Sequence, residues 1–394
     1  MKTTHPLLYL LLALTLSACG GSGSDEGGRN PSSSSASSSS EDNNSGSSES
    51  SMQSSSTLSS SSSSSARSDD GLPDAGRLSC EQANQVQGFA SLGESTTGGA
   101  GGDEVTVSTG VELASALDNK GNQPLIIYVD GTITPENSPD DKFSIKDMND
   151  VSIIGVGSNA LFDGIGIKIW RANNIIVRNL TMRYVSIGDK DHISLEGPAS
   201  HVWIDHNTFY NDLDTDKDFY DELVSGKKNV DNVTISYNVL RDSWKTSLWG
   251  SSDSDSAHRR VTFHGNHWLN ANSRLPLFRF GEGHIFNNHY EGVINTGINS
   301  RMGATIKIDG NLFEDSKNPI GSWFSDEIGY WDLGENQFVN VEWVAATDGD
   351  VTAGPDPEST VSYEPPYDYT LVPLETVADH VAVNAGAGVI ADCL

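Results

Sequence analysis

The stretch Val230-Asp231-Asn232-Val233-Thr234-Ile235-Ser236-Tyr237-Asn238 holds one short pattern, alternating apolar residues that close on an asparagine. The same pattern recurs as His201-Val202-Trp203-Ile204-Asp205-His206-Asn207 and Arg260-Val261-Thr262-Phe263-His264-Gly265-Asn266. Further copies are Asn174-Ile175-Ile176-Val177-Arg178-Asn179, Gly283-His284-Ile285-Phe286-Asn287-Asn288 and Ala304-Thr305-Ile306-Lys307-Ile308-Asp309-Gly310-Asn311. The closing asparagines stand 28, 31, 28, 22 and 23 residues apart. A β-branched strand once per repeat, with no helical period, reads as one coil of a solenoid. Propeller blades would need repeats of about 40 residues. The expected fold is therefore all-β, a right-handed single-stranded parallel β-helix. Each strand buries its inward side chains against the coils above and below, and stacking removes most sheet edges. An asparagine closing the strand can tolerate a left-handed turn and bond its amide to the next coil. One helix is expected, near Val111–Asn119, as an N-terminal cap over the apolar end of the stack.

Outside this core the chain changes character. Lys2 followed by the apolar run Leu7–Leu16 reads as an export signal over residues 1–18, too short to span a bilayer. Leu16-Ser17-Ala18-Cys19 resembles a bacterial lipoprotein cleavage box, so Cys19 is the expected lipidation site. Ordinary secretory cleavage nearby is the alternative. Residues 19–79 are rich in serine and lack apolar clusters, as expected of a tether, leaving 80–394 as one folded unit. The protein is then exported, lipid-anchored at the bacterial outer membrane or cell surface, or secreted. Cys80 and Cys393 remain as a pair, suggesting one disulfide across the ends of the domain. From residue 80 on, 46 acids face 20 bases, a balance of −26. That argues against nucleic acid or an anionic membrane as a partner. A polyanionic ligand would need a local basic patch or bound cations.

Five blocks carry chemistry. They are Val202-Trp203-Ile204-Asp205-His206, the run Trp244–Asp253, the run Asn272–His284 containing Arg274-Leu275-Pro276-Leu277-Phe278-Arg279, the run Asn299–Gly303, and Asn318-Pro319-Ile320. In this order and at these spacings, over roughly residues 85–335, they resemble the pectate lyase family. The resemblance implies a polysaccharide lyase that cleaves α-1,4-linked polygalacturonate by calcium-assisted β-elimination, leaving 4,5-unsaturated ends. Such a reaction needs an acidified C5 proton, a base to take it, and a departing C4 oxygen. Calcium on the uronate carboxylate would withdraw charge from that carbon, and it binds several oxygen ligands at once.

By the same resemblance Asp189, Asp191 and Asp221 are the Ca2+ ligands. The family's fourth ligand falls on Ser225, a neutral donor, which implies looser calcium binding. Asp212, Asp214, Asp216 and Asp218 on the preceding loop could compensate, although a solvated acidic loop is the plainer reading. Arg274 falls on the catalytic arginine. A guanidinium is a weak candidate base unless neighbouring cations disfavour its protonated form, and hydroxide held by Arg274 is the other route. Lys227, Lys245, Arg279 and Arg301 fall on positions that bind substrate carboxylates, and these cations would supply the missing basic patch.

Other residues are read as structural. Asp205 and His206 lie on a stacked strand, and Glu282 is expected to serve the fold. His264, His267, His284 and His289 follow the strand spacing without ligand-spaced cysteines. Trp249, Trp323 and Phe324 could be sugar platforms or wall packing. The alternatives for function are a pectin lyase acting on methyl-esterified chains without Ca2+ and a non-catalytic pectin-binding β-helix. A polygalacturonase would need paired catalytic aspartates that the sequence does not offer. A monomer is expected.

Overall fold

The computed structural model describes residues 76–347 and 349–394. The expected signal peptide, Cys19 and nearly all of the serine-rich tether lie outside these residues. Gly76–Ser79 do not behave as the end of a tether. The Leu78 N–H donates to Asn384 Oδ1 at 2.9 Å, and Ser79 caps the helix Cys80–Ala83.

The chain winds as a parallel β-solenoid with three sheets. The first has ten strands, from Asp103–Val107 to Tyr330–Leu333. The second has nine, from Thr132–Ile133 to Gln337–Val339. The third also has nine, opening at Lys142–Lys146, and its last strand, Val351–Thr352, alone runs antiparallel. Each coil contributes one strand to each sheet in turn. The inward positions stack like on like: Val151, Ile175, Val202, Val233 and Val261 are register neighbours on the first sheet, all fully buried. This continuity is why the sequence shows period-two alternation with β-branched residues and no helical period. The single cap helix spans Gly110–Asp118, held at its start by a Thr109–Glu112 capping box, and puts Leu113 and Leu117 onto the end of the core.

An asparagine ladder fixes the corner between the first and second sheets. It consists of Asn207, Asn238, Asn266, Asn288, Asn311 and Asn336. In every step the backbone N–H of one asparagine donates to the side-chain oxygen of the next, at 2.9–3.1 Å. The side-chain NH2 donates to that same oxygen, and also to a strand carbonyl of the coil before. Asn179 is not a rung. The register that aligns Thr181 with Thr208 sets Leu180 at the ladder position and puts Asn179 one residue earlier, at the left-handed corner (φ 59°). His206, Tyr237, Gly265, Asn287 and Gly310 hold that same left-handed corner in later coils. The left-handed turn and the amide ladder are thus two adjacent positions, where the sequence pattern suggested one.

Both ends of the domain, residues 83–89 and the segment from Tyr363 on, cover the first sheet. Arg178 donates to the Ala83 carbonyl and to Asn84, and the Phe89 N–H donates to the Thr262 hydroxyl at 3.0 Å. The returning C-terminal arm lays Tyr363, Tyr367 and Tyr369 on Glu282, Thr262 with His284, and Asp309 respectively. It ends in the Cys80–Cys393 disulfide. Under this cover Asp205, fully buried, accepts from Arg178, His206 and Ser236. Asp205 and His206 are therefore part of the fold. Trp249 is fully buried in the core and Trp323 nearly so, whereas Phe324 is 76% exposed.

Candidate active site

The turns that lead from the second sheet to the third stack one above another. Four successive coils place Asp189 and Asp191, then Asp221, then Lys245, then Arg274 on this one wall. The stacking is held by backbone bonds. The Asp221 N–H donates to the Lys190 carbonyl at 3.2 Å, Thr246 to Ser273 at 3.2 Å, and Ser247 to the Arg274 carbonyl at 2.8 Å. Adjacent coils in a parallel solenoid lie about 4.8 Å apart, so residues tens of positions apart in sequence become side-chain neighbours. Lys190 and Arg274 both adopt left-handed backbone (φ 63° and 64°), which costs a non-glycine residue on the order of 1 kcal/mol and recurs at many coil corners of this fold.

Asp191 is the most perturbed carboxyl. Burial first, then the charges of Asp221 and Asp189, push it up to about 8, although the Ser225 hydroxyl donates to it and Lys227 lies near. The Glu222 N–H also donates to it, at 3.0 Å. Asp189 behaves in the opposite way. Burial works against its charge, yet Lys168 at 2.9 Å and Ser194 at 3.0 Å hold its pKa below the ordinary range. Lys142 lies 3.5 Å away. Asp189, Asp191 and Asp221 are neighbouring oxygen donors of the type calcium takes, although the three do not bring one oxygen each within 4.8 Å of one another.

Every cation of the cleft is paired with an acid. Lys245 contacts Asp218 at 2.8 Å and Asp221 at 3.2 Å; burial opposes its charge, but the two carboxylates raise its pKa. Lys227 lies 3.8 Å from Glu196. Arg279 and Arg301, neighbours in register on the third sheet, share Asp253 at 2.5 and 3.4 Å. Arg274 pairs with Glu222. Burial depresses the Arg274 pKa and Arg279 adds to the effect, while Asp221, Asp191 and Asp218 oppose it. A strongly acidic domain thus holds a group of cations here by giving each one a carboxylate partner. The pairing also means that an incoming carboxylate or dication exchanges partners rather than meeting bare charge.

Lys142, Lys168, Glu196, Glu222 and Asp253 were not anticipated. Glu222 adjoins Asp221 in the sequence but gives no hint that it is buried against a residue 52 positions later. Its other oxygen, Oε2, is buried without a partner. The loop acids divide: Asp218 reaches Lys245, whereas Asp212 and Asp216 accept from nearby backbone N–H groups, as loop-forming residues do.

Residues 77–390 match the profile of a family described as pectate lyase. The chain is 50% identical over 306 residues to a pectate trisaccharide-lyase of Bacillus licheniformis, covering 77% of this chain and 87% of that one. Among solved structures it is similar to a pectate lyase of Bacillus sp. N165 in complex with trigalacturonate. There the TM-score is 0.72 at 36% identity, covering 78% of this chain and 100% of that chain. It is also similar to pectate lyase C of Erwinia chrysanthemi, determined at pH 9.5 with 30 mM Ca2+. In that case the TM-score is 0.69 at 26% identity, covering 78% and 98%. The chain belongs to the pectate lyase family. It is a polysaccharide lyase on a parallel β-helix.

Proposed function

We propose that the stacked turns form the reaction centre of a pectate lyase whose ligand is polygalacturonate and whose cofactor is Ca2+. The observation that carries this reading is the close approach of an acidic set (Asp189, Asp191, Asp221) to a cationic set (Lys245, Arg274, Arg279) on one wall. Asp189, Asp191 and Asp221 would hold the ion, with the Ser225 hydroxyl orienting Asp191. The ion, when bound, supplies positive charge that acidifies the proton on the carbon next to the uronate carboxyl.

The chain's own residues do the rest. Lys227, Lys245, Arg279 and Arg301 bind uronate carboxylates, the arginines through paired N–H donors. Arg274 takes the C5 proton, directly or through hydroxide that it holds. Its burial and the neighbouring Arg279 weaken its hold on its own proton, while the pair with Glu222 fixes its position. The C5–H electrons form the C4–C5 double bond as the C4–O bond breaks, and the departing oxygen takes up a proton. One new chain end is 4,5-unsaturated. Residues 80–394 would be the catalytic domain, acting as a monomer. In this reading the protein is exported and, through Cys19, held at a membrane surface by lipid alone.

De-esterified and methyl-esterified chains, each with Ca2+ and with chelator, distinguish the readings. New ultraviolet absorbance on the de-esterified substrate, abolished by chelator, is expected. Activity that prefers the esterified substrate and survives chelator would establish the pectin lyase reading instead.

A further inference from the structure

The second sheet carries another group of ligand-type side chains, on its outer face and sharing no residue with the cleft. The strands His267–Leu269, His289–Glu291 and Leu312–Glu314 are consecutive neighbours. Register sets His267 beside His289 and Glu291 beside Glu314. The two imidazoles stack with ring centres 4.9 Å apart and planes 3° from parallel. Each reaches diagonally to a carboxylate, His267 Nε2 to Glu291 Oε2 at 2.9 Å and His289 Nε2 to Glu314 Oε2 at 3.2 Å. The histidines of the repeats therefore do not all alternate in direction. His264 and His284 stay under the arms on the first sheet, while His267 and His289 converge here.

Two features suit the group to a cation. Carboxylates directly paired across neighbouring strands repel one another, yet Glu291 and Glu314 occupy such a pair. Among the described residues neither has a lysine or arginine partner, whereas most carboxylates of the cleft do. The imidazoles are also held stiffly. Their side chains are 18% and 8% exposed, and the neighbours of this row, Val239 and Leu312, pack under the C-terminal helix Val377–Asn384. The carboxylates, at 42% and 39%, keep the group open to solvent, so an ion has a way in.

We propose that His267, His289 and Glu291, with Glu314 beside them, form a second metal site, for a borderline transition dication such as Zn2+. The ligand atoms of His267, His289 and Glu291 already lie within 4.8 Å of one another. Tetrahedral zinc with bonds of ~2.1 Å needs ligand atoms roughly 3.4 Å apart, a gap that a modest tilt of the stacked rings closes. Two imidazole nitrogens and carboxylate oxygen select zinc over calcium, which prefers oxygen alone. The bound ion would tie three consecutive coils together.

Zn2+ binding to the full chain, measured by calorimetry with Ca2+ in large excess, tests the proposal, because calcium then fills the carboxylate cleft. The expected result is a calcium-resistant zinc equivalent that weakens by more than about tenfold in E291Q and in H289Q. Co2+ substituted in its place should give the visible absorption of a nitrogen-ligated ion, lost in E291Q. Should H289Q fail to fold, E291Q and E314Q, which alter half-exposed side chains, decide the matter. Absence of calcium-resistant zinc binding, or binding unchanged in E291Q and E314Q, overturns the proposal.

Discussion

Replacing Asn266 with alanine should be among the most damaging single changes in the molecule, although it removes no apolar group and lies outside the cleft. Asn266 is fully buried at the middle of the ladder. Its Oδ1 accepts the Asn238 backbone N–H at 2.9 Å and the Asn238 side-chain NH2 at 3.1 Å. Its own NH2 donates to the Ile235 carbonyl at 2.9 Å and to Asn288 Oδ1 at 2.9 Å. Alanine deletes all four bonds and strands the Asn238 N–H where water cannot reach. A stranded buried donor costs about 1–3 kcal/mol and each lost bond about 1 kcal/mol net, some of it recovered by relaxation, so a loss of roughly 3–5 kcal/mol is expected. N336A is the internal control, because Asn336 ends the ladder, is partly solvent-exposed and has no further rung beyond it. Its Oδ1 likewise accepts the Asn311 N–H and NH2, and its own NH2 donates to the Ile308 and Gly334 carbonyls, but water can replace part of this set at the exposed end, so N336A should cost less than N266A. N266D sets a carboxylate oxygen against the Ile235 carbonyl and Asn288 Oδ1 in place of the NH2, so it should cost at least as much as N266A. Urea unfolding followed by circular dichroism measures all three. If N266A lies within about 0.5 kcal/mol of wild type, or matches N336A, the ladder is not what sets the coil corners.

Further expectations concern the cleft and the ends. In chelator, the folded chain keeps the Asp191 proton up to about 8, whereas an unfolded aspartate loses it near 3.8. The folded state thus binds more protons across that window, and stability should decline as pH rises through it; D191N should flatten the decline, and an equal slope in both proteins would contradict the assignment. Calcium must displace that proton, so its affinity should rise up to about tenfold per pH unit below 8 and level off above. S225D supplies a fourth carboxylate and should tighten calcium by about tenfold or more while lowering thermal stability in chelator; unchanged affinity by calorimetry would place the ion elsewhere. The Cys80–Cys393 bridge closes a span of 313 residues. In the chain-entropy treatment its removal in C80S/C393S costs up to about 6 kcal/mol, and an unaltered melting temperature would mean that the docked arms hold the ends without it.

The solenoid was legible because its physics is repetitive. Each coil needs one alternating strand with β-branched inward residues, and that signal recurs often enough to outweigh any single ambiguous stretch. The corner was legible only to within one residue, since Asn179 and Asn207 look alike in sequence but occupy a left-handed turn and a ladder rung respectively. Asn336 went unseen as a rung because the strand before it, Tyr330–Leu333, lacks the recurring pattern. Within the cleft, the residues that match family motifs could be named in advance. Their partners could not. Lys168 meets Asp189 from the preceding coil, Glu222 meets Arg274 two coils on, and Asp253 bridges Arg279 and Arg301 from a loop of no evident pattern. Such pairings depend on which turns stack, and a single sequence does not encode that locally. The same holds for the C-terminal arm, whose tyrosines cover Thr262, His284 and Asp309 only because the chain doubles back.

The most direct test of the reaction centre is to follow unsaturated product on polygalacturonate at alkaline pH with calcium, comparing wild type with R274A while measuring substrate binding on both. Steady absorbance gain by wild type and none by R274A, with oligogalacturonate still bound by the variant, is the predicted result. Undiminished product formation by R274A would remove Arg274 from the chemistry and with it the central claim.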